Sequence, residues 1–378
     1  MGRVRIDFRS SPEPTLGVEW ELALVDAETG DLVPVAAEVI AAACEAGVDT
    51  AKVKKELLVN TVEAVTGVHR TVGEAVDDLR ETVAQLQAVT GPRGVDLFSA
   101  GTHPFARWEE QEVTEGERYA TLIDRTRWWG RQMVIYGVHV HVGIASAAKV
   151  MPIVTSLLTW YPHLQALSAS SPFWAGQDTG YASNRALLFQ QLPTAGLPFH
   201  FSQWSEYTAY VGDLMTTGVV DGLADIRWDV RPSPQLGTVE VRVCDGLPTL
   251  REVAALTALT HCLVVDLDRR LDDGDDLPVM PPWHVQENKW RSARYGLDAE
   301  IILDAASRER LVTDDLHDLL ERLQPVARRL GCVDELDSVA EIPVRGASYQ
   351  RQRAVAEAAD GDLRAVVRSL VEEFRAPG

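Results

Sequence analysis

Apolar and polar residues alternate in several short stretches of the chain, which predicts β-strands with one buried and one polar face. The first stretch, at about residues 15–25, places Val18 and Trp20 next to Glu19 and Glu21. Side chains two residues apart lie on the same face of a strand. The two glutamates therefore point one way, and the apolar residues point towards the core.

Two later stretches show the same alternation and place a polar pair on one face. His139 and His141 form the first pair, and Glu240 and Arg242 form the second. Valines separate the members of each pair, so the opposite face is again apolar. Further strands are predicted near residue 53, at 95–100 and at 225–231.

Longer segments repeat apolar residues at helical spacing. Thr71 and Glu74 form a capping box at the start of one of these segments. The segment 172–200 is rich in glycine and proline, which predicts irregular structure. The predicted helices are about 34–47, 71–90, 116–135, 146–168, 203–217, 249–271, 282–294, 313–330 and 348–374.

Strands scattered among helices predict an α+β fold, with an antiparallel sheet that has one open polar face and helices packed on the other. We expect residues 1–378 to form a single catalytic domain. Its sheet-forming core is predicted at about 14–246, and a mostly helical C-terminal part at about 248–375.

Composition narrows the function classes. A formal net charge of −20 argues against a nucleic-acid partner. We find no apolar run of the roughly 18–20 residues that a membrane span needs. Four cysteines lie far apart in the sequence, a pattern typical of reduced thiols in the cytoplasm.

Glu19 and Glu21 are the first candidate metal ligands. Their backbone positions are about 6.6 Å apart at the usual strand rise. Carboxylates gathered on one face repel each other unless cations lie among them, so this face predicts a Mg²⁺ or Mn²⁺ site. Glu56 and Glu63 are further candidates, although a spacing of seven places them on opposite faces of a regular strand. Either a bulge or strand start separates them, or they act from different levels.

His139 and His141 allow different interpretations. They could be strand histidines satisfied by their neighbours, or they could bind zinc and activate water in a hydrolase. The glutamates nearby favour Mg²⁺ or Mn²⁺ instead, with an occasional imidazole ligand.

Several cationic and polar residues are candidates for binding anions. Arg242 could form a simple ion pair with Glu240, or it could neutralise charge on a transferred phosphoryl group. Arg231 and Arg185 could fix a substrate carboxylate by bidentate pairing. Asn288 and Arg294 lie near the end of a predicted helix, which is either solvated or lies over the mouth of the acidic site. The chain has no phosphate-binding loop motif, so bound ATP would have to be held by metals.

Eight short motifs occur along the chain in a fixed order. They are TLGVEWE at 15–21, GTHPF at 101–105, ERY at 117–119, HVHVG at 139–143, ALSASSP at 166–172, WDVRPSP at 228–234, GTVEVR at 237–242 and RYG at 294–296. In these motifs the chain resembles the carboxylate–amine ligases of the glutamate–cysteine ligase type 2 family, over nearly its whole length. The resemblance implies a fold similar to the catalytic domain of glutamine synthetase, an antiparallel sheet curled into a funnel with helices outside.

The resemblance also implies site residues and a reaction. Arg242 would contact the phosphates or an acyl phosphate. We predict Arg242, Glu240 and Arg231 as the catalytic residues, and Arg185, Arg294 and Asn288 as cofactor-binding residues. ATP would phosphorylate a carboxylate, the γ-carboxyl of glutamate in the family reaction, and an amine such as cysteine would then attack. A homodimer or larger homo-oligomer is expected, and two alternatives stay open: a zinc hydrolase and a non-catalytic relative that binds ATP and metal. The residues implied to hold the divalent cations are Glu19, Glu21, Glu56, Glu63, His139 and Glu240.

Overall fold

The acidic stretches of the sequence lie together on one β-sheet in the computed structural model. The structure describes residues 5–376, so the first four and last two residues of the predicted domain lie outside the described part. Within it, the strands are β1 (Leu16–Asp26), β2 (Val53–Lys55), β3 (Thr61–Val65), β4 (Val95–Phe98), β5 (Gly137–Gly143), β6 (Phe173–Trp174), β7 (Gln177–Asp178), β8 (Ala195–Gly196), β9 (Arg227–Trp228), β10 (Val230–Ser233), β11 (Thr238–Asp245), β12 (Glu300–Ile302) and β13 (Glu309–Leu311).

Helices fill most of the remaining described chain, and four short 3₁₀ turns lie at 91–93, 108–110, 223–225 and 296–298. The α-helices are α1 (Ala36–Glu45), α2 (Val72–Thr90), α3 (Glu117–Thr126), α4 (Trp128–Arg131), α5 (Ala147–Leu157), α6 (Tyr161–Ser168), α7 (Arg185–Phe189), α8 (Trp204–Thr216), α9 (Leu250–Asp272), α10 (Pro282–Tyr295), α11 (Val312–Leu330), α12 (Val333–Ser338), α13 (Glu341–Arg345), α14 (Ser348–Ala358) and α15 (Leu363–Arg375). The predicted capping box of Thr71 and Glu74 is present at the start of α2.

The main sheet has seven strands in the order β10-β11-β5-β1-β3-β2, and β4 pairs with the second half of β1. Its strand pairs are antiparallel. The long strand β1 lies between β5 and β3, so it is the centre of the sheet. Every candidate metal ligand is on these central strands or in a turn directly beside them.

The apolar face of the sheet packs into the main hydrophobic core. Val18, Val140 and Val241 are almost completely buried there, as the alternation predicts. Helix α9 is the central helix of this layer, because it contacts β5 together with α2, α5, α11 and α12. Trp20 also faces the core, where its indole nitrogen donates to the carbonyl of Leu247 at 3.1 Å.

The predicted fold class is confirmed: the protein is α+β, with an antiparallel sheet and helices packed on its apolar face. The main sheet ends with β11, and helices dominate from α9 onward, close to the predicted division. The core nevertheless extends through both parts of the chain. Trp20 on β1 packs against Phe374 on α15, with 5.1 Å between the ring centroids.

Three predicted helices are interrupted in the structure. The segment 116–135 forms α3 and the short α4, because Arg127 between them has a φ of 51° that a helix cannot accommodate. The segments 146–168 and 348–374 each form two helices. The β12–β13 hairpin was not predicted, since its strands have only three residues each. Among the described residues, no helix combines the length and the apolar character that crossing a membrane requires.

Candidate active site

The strand register of the main sheet brings the predicted acidic residues into one array. Glu19 on β1 lies opposite His139 on β5, and Glu21 lies opposite Glu63 on β3. On the other side of β5, Glu240 lies opposite His141. Residues directly opposite in an antiparallel pair project to the same face. The polar face of four neighbouring strands is therefore lined by carboxylates and imidazoles.

Glu56 joins this array through a chain reversal, which resolves its unusual spacing from Glu63. Strand β2 ends at Lys55, and β3 starts at Thr61, so Glu56 lies in the hairpin turn between them. The hairpin is antiparallel, with Lys55 opposite Val62. The alternation of faces along a single strand therefore does not apply to Glu56 and Glu63, and both carboxylates reach the same face.

A β-bulge on β11 sets the direction of Asp245. The register with β5 shifts between Val241 and Cys244, so Arg242 and Val243 together lie opposite His139. The extra residue also reverses the alternation beyond the bulge. Asp245 consequently lies on the polar side of the sheet, although an unbroken alternation from Arg242 would place it on the apolar side.

Three groups of side chains in the described residues have the spacing to hold a metal ion. Within each group, the candidate ligand atoms all lie within 4.8 Å of one another. Glu19 and Glu63 each belong to two groups, so the groups form one continuous cluster. The groups are Glu19–Glu63–His139, Glu19–His141–Glu240 and Glu21–Glu56–Glu63.

Nearby cationic side chains offset the negative charge of the Glu21–Glu56–Glu63 group only in part. Burial and the negative charge of Glu56 together raise the pKa of Glu21 to about 8, against the positive charges of Arg185 and Arg242. The pKa of Glu63 is raised well above its usual value by burial and by the charges of Glu19 and Glu56. Burial also raises the pKa of Glu56. A divalent cation would supply the missing charge, and oxygen donors of this kind suit Mg²⁺.

In the Glu19–His141–Glu240 group, two arginines balance the negative charge of Glu240. Burial alone would raise the pKa of Glu240, but the positive charges of Arg242 and Arg231 outweigh it and lower the pKa. Arg231 donates two hydrogen bonds to this carboxylate, at 2.7 and 3.2 Å. Arg242 donates to it as well. Both predicted arginines therefore lie in the cluster, next to Glu240.

His139 has the protonation state that a metal ligand needs. Its Nδ1 lies 2.9 Å from a carboxylate oxygen of Glu19. Burial lowers the pKa of His139 to about 4, and the positive charges of Arg242 and Arg185 act in the same direction. The imidazole is therefore neutral near pH 7, so a ring nitrogen can offer its lone pair to a cation.

His141 is a site residue that our assignment of Mg²⁺ ligands omitted. Its Nε2 is buried without a hydrogen-bond partner and lies 3.4 Å from Glu19 and 3.9 Å from Glu240. Its Nδ1 lies 2.9 Å from the hydroxyl of Thr238, which fixes the ring orientation. An unpaired nitrogen among carboxylates fits a cation site. The sequence did indicate this residue, because His141 is two positions from His139 and faces the same side of the strand.

Arg185, a predicted anion-binding residue, lies beside His139 and Arg242. Its guanidinium donates to the carbonyl of Arg242 at 3.1 Å and lies 3.4 Å from His139 Nε2. It passes directly over Gly137, where a Cβ atom would overlap the guanidinium. The ring of Phe189 lies 5.8 Å from the guanidinium carbons of both Arg185 and Arg242.

Asp245 is a second residue that sequence reasoning missed. It is completely buried and accepts hydrogen bonds from Ser171 Oγ at 2.7 Å and Ser183 Oγ at 2.8 Å. Ser171 Oγ in turn accepts from the backbone nitrogen of Arg185 at 3.1 Å. Asp245 thereby holds the loop that carries Arg185 against the sheet. No sequence signal identified it, because the bulge determines which way it points.

Asn288 and Arg294 have positions that differ from the other predicted residues. Asn288 is completely buried, and its side chain exchanges hydrogen bonds with the backbone of Ile302 at 2.7 and 2.8 Å. It therefore anchors the β12–β13 hairpin instead of facing the acidic cluster. Arg294 donates to the carbonyl of Gly180 and stacks over Tyr181 and Tyr295. These contacts join the end of α10 to the loop before α7.

Comparisons with known sequences identify the family of this chain. The profile of the glutamate–cysteine ligase family 2 (GCS2) matches residues 15–369. A protein of Mycobacterium ulcerans named "Putative glutamate--cysteine ligase 2" is 66% identical over 370 residues, which are 98% of this chain and 93% of that protein. A protein of the same name from Mycobacterium tuberculosis is 65% identical and covers 98% of this chain and 97% of its own.

Two solved structures have the same fold at low sequence identity, 12% in each case. The glutamate–cysteine ligase of Francisella tularensis, solved in complex with AMP, aligns with a TM-score of 0.68 over 98% of this chain and 90% of its own. A bifunctional glutathione synthetase from Pasteurella multocida aligns with a TM-score of 0.65 over 96% of this chain and 52% of its own. The family resemblance of the sequence motifs is thus confirmed. The chain belongs to the glutamate–cysteine ligase family 2, and it is a ligase-type enzyme.

Proposed function

We propose that the protein is an ATP-dependent carboxylate–amine ligase that uses Mg²⁺ or Mn²⁺. In this proposal, ATP phosphorylates the γ-carboxyl of glutamate, and an amine such as cysteine attacks the resulting acyl phosphate. The products are an amide, ADP and phosphate. The observation that carries the proposal is the convergence of Glu19, Glu21, Glu56, Glu63 and Glu240 with two imidazoles in one cluster.

The charge pattern of the cluster supports metal-dependent phosphoryl transfer. The carboxylates of Glu21, Glu56 and Glu63 lie together, and the pKa of each is raised despite the positive charges nearby. Bound Mg²⁺ ions would neutralise the ATP phosphates and the charge that develops on the transferred group. The side chains that surround this group have to hold it in line with the attacking carboxylate.

The arginines suit the next requirement, which is to stabilise charge as the phosphoryl group moves. Arg242 lies between Glu240 and His139, and Arg231 lies on the far side of Glu240. A guanidinium has five N–H donors, so each arginine keeps donors for a phosphate oxygen besides those that bind Glu240. Arg185 adds a third positive charge below the cluster, where we expect it to contact a substrate carboxylate or phosphate.

The alternatives predicted from the sequence have less support. The zinc hydrolase needs His139 and His141 in one ligand set, but each histidine is grouped with two glutamates instead. A non-catalytic relative that binds ATP and metal would keep the same acidic cluster, but the curated relatives are named as ligases. The glutamate–cysteine ligase of Francisella tularensis was solved with AMP bound. This is consistent with an adenine nucleotide as a substrate here.

Other features of the proposal rest on the sequence. We propose that the chain acts as one catalytic domain, which the shared packing of Trp20 and Phe374 supports. A cytoplasmic location, a homo-oligomeric state and the lack of a nucleic-acid partner remain predictions.

The proposal is tested by measuring ADP formation with ATP, Mg²⁺, glutamate and cysteine, with each component omitted in turn. We expect ADP release to require both amino acids and the metal. The Glu240→Gln variant should lose this activity, whereas Glu300→Gln, which changes an exposed glutamate on β12, should retain it. Metal-dependent activity without ATP, or unchanged turnover in Glu240→Gln, would refute the proposal.

A further inference from the structure

A charged cavity of about 320 Å³ lies beside the acidic cluster, between α3 and the segment that leads into β9. Its volume is at the lower end of the range for small-molecule sites, roughly 300–1,000 Å³. Part of its wall is apolar, from Leu122 and Pro193. Its charged lining consists of Glu117, Arg118, Arg125, Asp221, Asp225 and Arg227.

One wall of the cavity is attached to the Glu240 end of the cluster. Arg227 directly follows Ile226, whose carbonyl accepts a hydrogen bond from Arg231 at 2.6 Å. Arg231 in turn binds the carboxylate of Glu240. Arg231 therefore joins the strand that carries Arg227 to the carboxylate of Glu240.

The opposite wall is attached to the Glu56 end. Tyr119, next to Arg118 on α3, donates a hydrogen bond to the carbonyl of Lys55 at 3.2 Å. Lys55 directly precedes Glu56. The positive charge of Arg118 is close enough to lower the pKa of Glu56, against the larger effect of burial. The cavity thus adjoins both ends of the predicted metal cluster.

The apolar wall connects the cavity to the arginines of the site. Leu122 packs on a small hydrophobic cluster formed by Met133, Phe189 and Leu192, which is separate from the main core. Phe189 is also the ring beside the guanidinium of Arg242. Leu122 of the cavity wall and Arg242 of the cluster therefore both contact this small apolar group.

The charges of the lining suit a zwitterion better than a polyanion. Three guanidinium groups face three carboxylates around one small volume. Arg227 already donates hydrogen bonds to Asp225, to its carboxylate at 2.9 Å and to its backbone carbonyl at 3.0 Å. Arg118 and Arg125 are exposed, and no ion pair within residues 5–376 holds either of them. A free amino acid offers a carboxylate for these arginines and an ammonium group for Glu117 or Asp221.

We propose that this cavity is the binding site for the α-carboxylate and α-ammonium groups of a free amino-acid substrate. The inference rests on the proposed ligase function and adds the residues that select an α-amino acid. Arg118 and Arg125 would bind its α-carboxylate, and its side chain would extend towards the cluster. The site would therefore discriminate an amino acid from the corresponding amine.

Two readouts test this site, and one of them does not need turnover. Calorimetry measures the binding of glutamate and of cysteine to the whole protein with Mg²⁺ and a non-hydrolysable ATP analogue. Initial rates of ADP release measure KM for each substrate. Both are repeated with 4-aminobutyrate in place of glutamate and cysteamine in place of cysteine, because these analogues lack only the α-carboxylate.

Arg118→Gln and Arg125→Gln are the test variants, and Arg131→Gln on the neighbouring α4 is the matched control. We expect the test variants to lower the affinity for one of the two amino acids by about 10- to 100-fold, because a charge-assisted hydrogen bond is lost. The affinity for its decarboxylated analogue and the KM for ATP should stay within about twofold. Arg131→Gln should match the wild type.

Several results would overturn the site. Unchanged affinity for both amino acids in both variants would overturn it. An equal loss of affinity for ATP would also overturn it, because it would indicate a phosphate-binding surface. If no substrate pair supports ADP release, the ligase proposal fails. Calorimetry then still decides the cavity, since an amino acid that binds the wild type and not Arg118→Gln supports it. An absence of any amino-acid binding contradicts it.

Discussion

Glu21 on β1 and Glu63 on β3 lie directly opposite each other in the antiparallel register of the central strands. Both carboxylates belong to the same candidate metal group, and the pKa of each is raised by burial and by neighbouring negative charge. Such a pair is unfavourable in the absence of a cation. The site therefore demands more positive charge than the surrounding arginines provide.

Thr238→Val tests whether the orientation of His141 matters. The substitution keeps the shape of the side chain and removes the hydroxyl that lies 2.9 Å from His141 Nδ1. Loss of such a supporting contact typically lowers metal affinity or activity by about 10- to 100-fold. We expect this decrease in Mn²⁺ affinity or in kcat/KM, with little change in the circular dichroism spectrum. Thr216→Val, at an exposed position on α8, is the control. Equal activity in both variants would argue against a role for His141.

Gly137→Ala tests the position of Arg185. A Cβ atom at residue 137 would overlap the guanidinium of Arg185, which would have to move away from His139. A displacement of about 1 Å in an active site can lower the rate by about 100-fold. We expect a decrease of this order in kcat, with the protein still folded. Gly91→Ala is the matched control, because its added methyl group meets no atom within 4 Å. Full activity in Gly137→Ala would show that Arg185 need not be where the structure has it.

Asp78 gives a prediction of how stability depends on pH. Burial alone would raise its pKa, but hydrogen bonds from Lys52 at 2.6 Å and from Gly67 N at 2.9 Å help to lower it. Because the pKa is lower in the folded protein, this carboxylate stabilises the fold above its unfolded pKa of about 3.9. The stabilisation is lost as the pH falls below that value.

Asp78→Asn should therefore lower the free energy of unfolding by about 1–3 kcal/mol at pH 7 and by less near pH 3. Urea unfolding at several pH values measures this. Asp77→Asn, which changes an exposed neighbour, provides the comparison. A difference between wild type and Asp78→Asn that stays constant with pH would contradict the assignment.

The alternation of the strands was sufficient to predict the centre of the site. Glu19 with Glu21, and Glu240 with Arg242, each face one way because the side-chain period of a strand is two. The sequence also indicated Glu63 from the parity of its neighbours. It could not place Glu56, since a hairpin turn determines its direction.

The remaining features depend on contacts between distant parts of the chain. Asp245 faces the site because of a bulge, which the hydrophobic pattern does not reveal. Asn288 has a structural role because Ile302 pairs with it, and that contact follows from the unpredicted hairpin. Arg118 and Arg227 line one cavity although they are far apart in the sequence. Sequence patterns therefore predicted which residues share a strand face, but not which loops close over that face.

Binding of Mn²⁺ to the protein after treatment with a chelator tests the central claim most directly. Glu63 belongs to two of the three candidate groups, so Glu63→Gln should alter more of the cluster than most single substitutions would. We predict that the wild type and the Glu300→Gln control bind more than one Mn²⁺ per chain, and that Glu63→Gln loses at least one. If the wild type binds no Mn²⁺, or if Glu63→Gln binds the same number with the same affinity, the claim is contradicted.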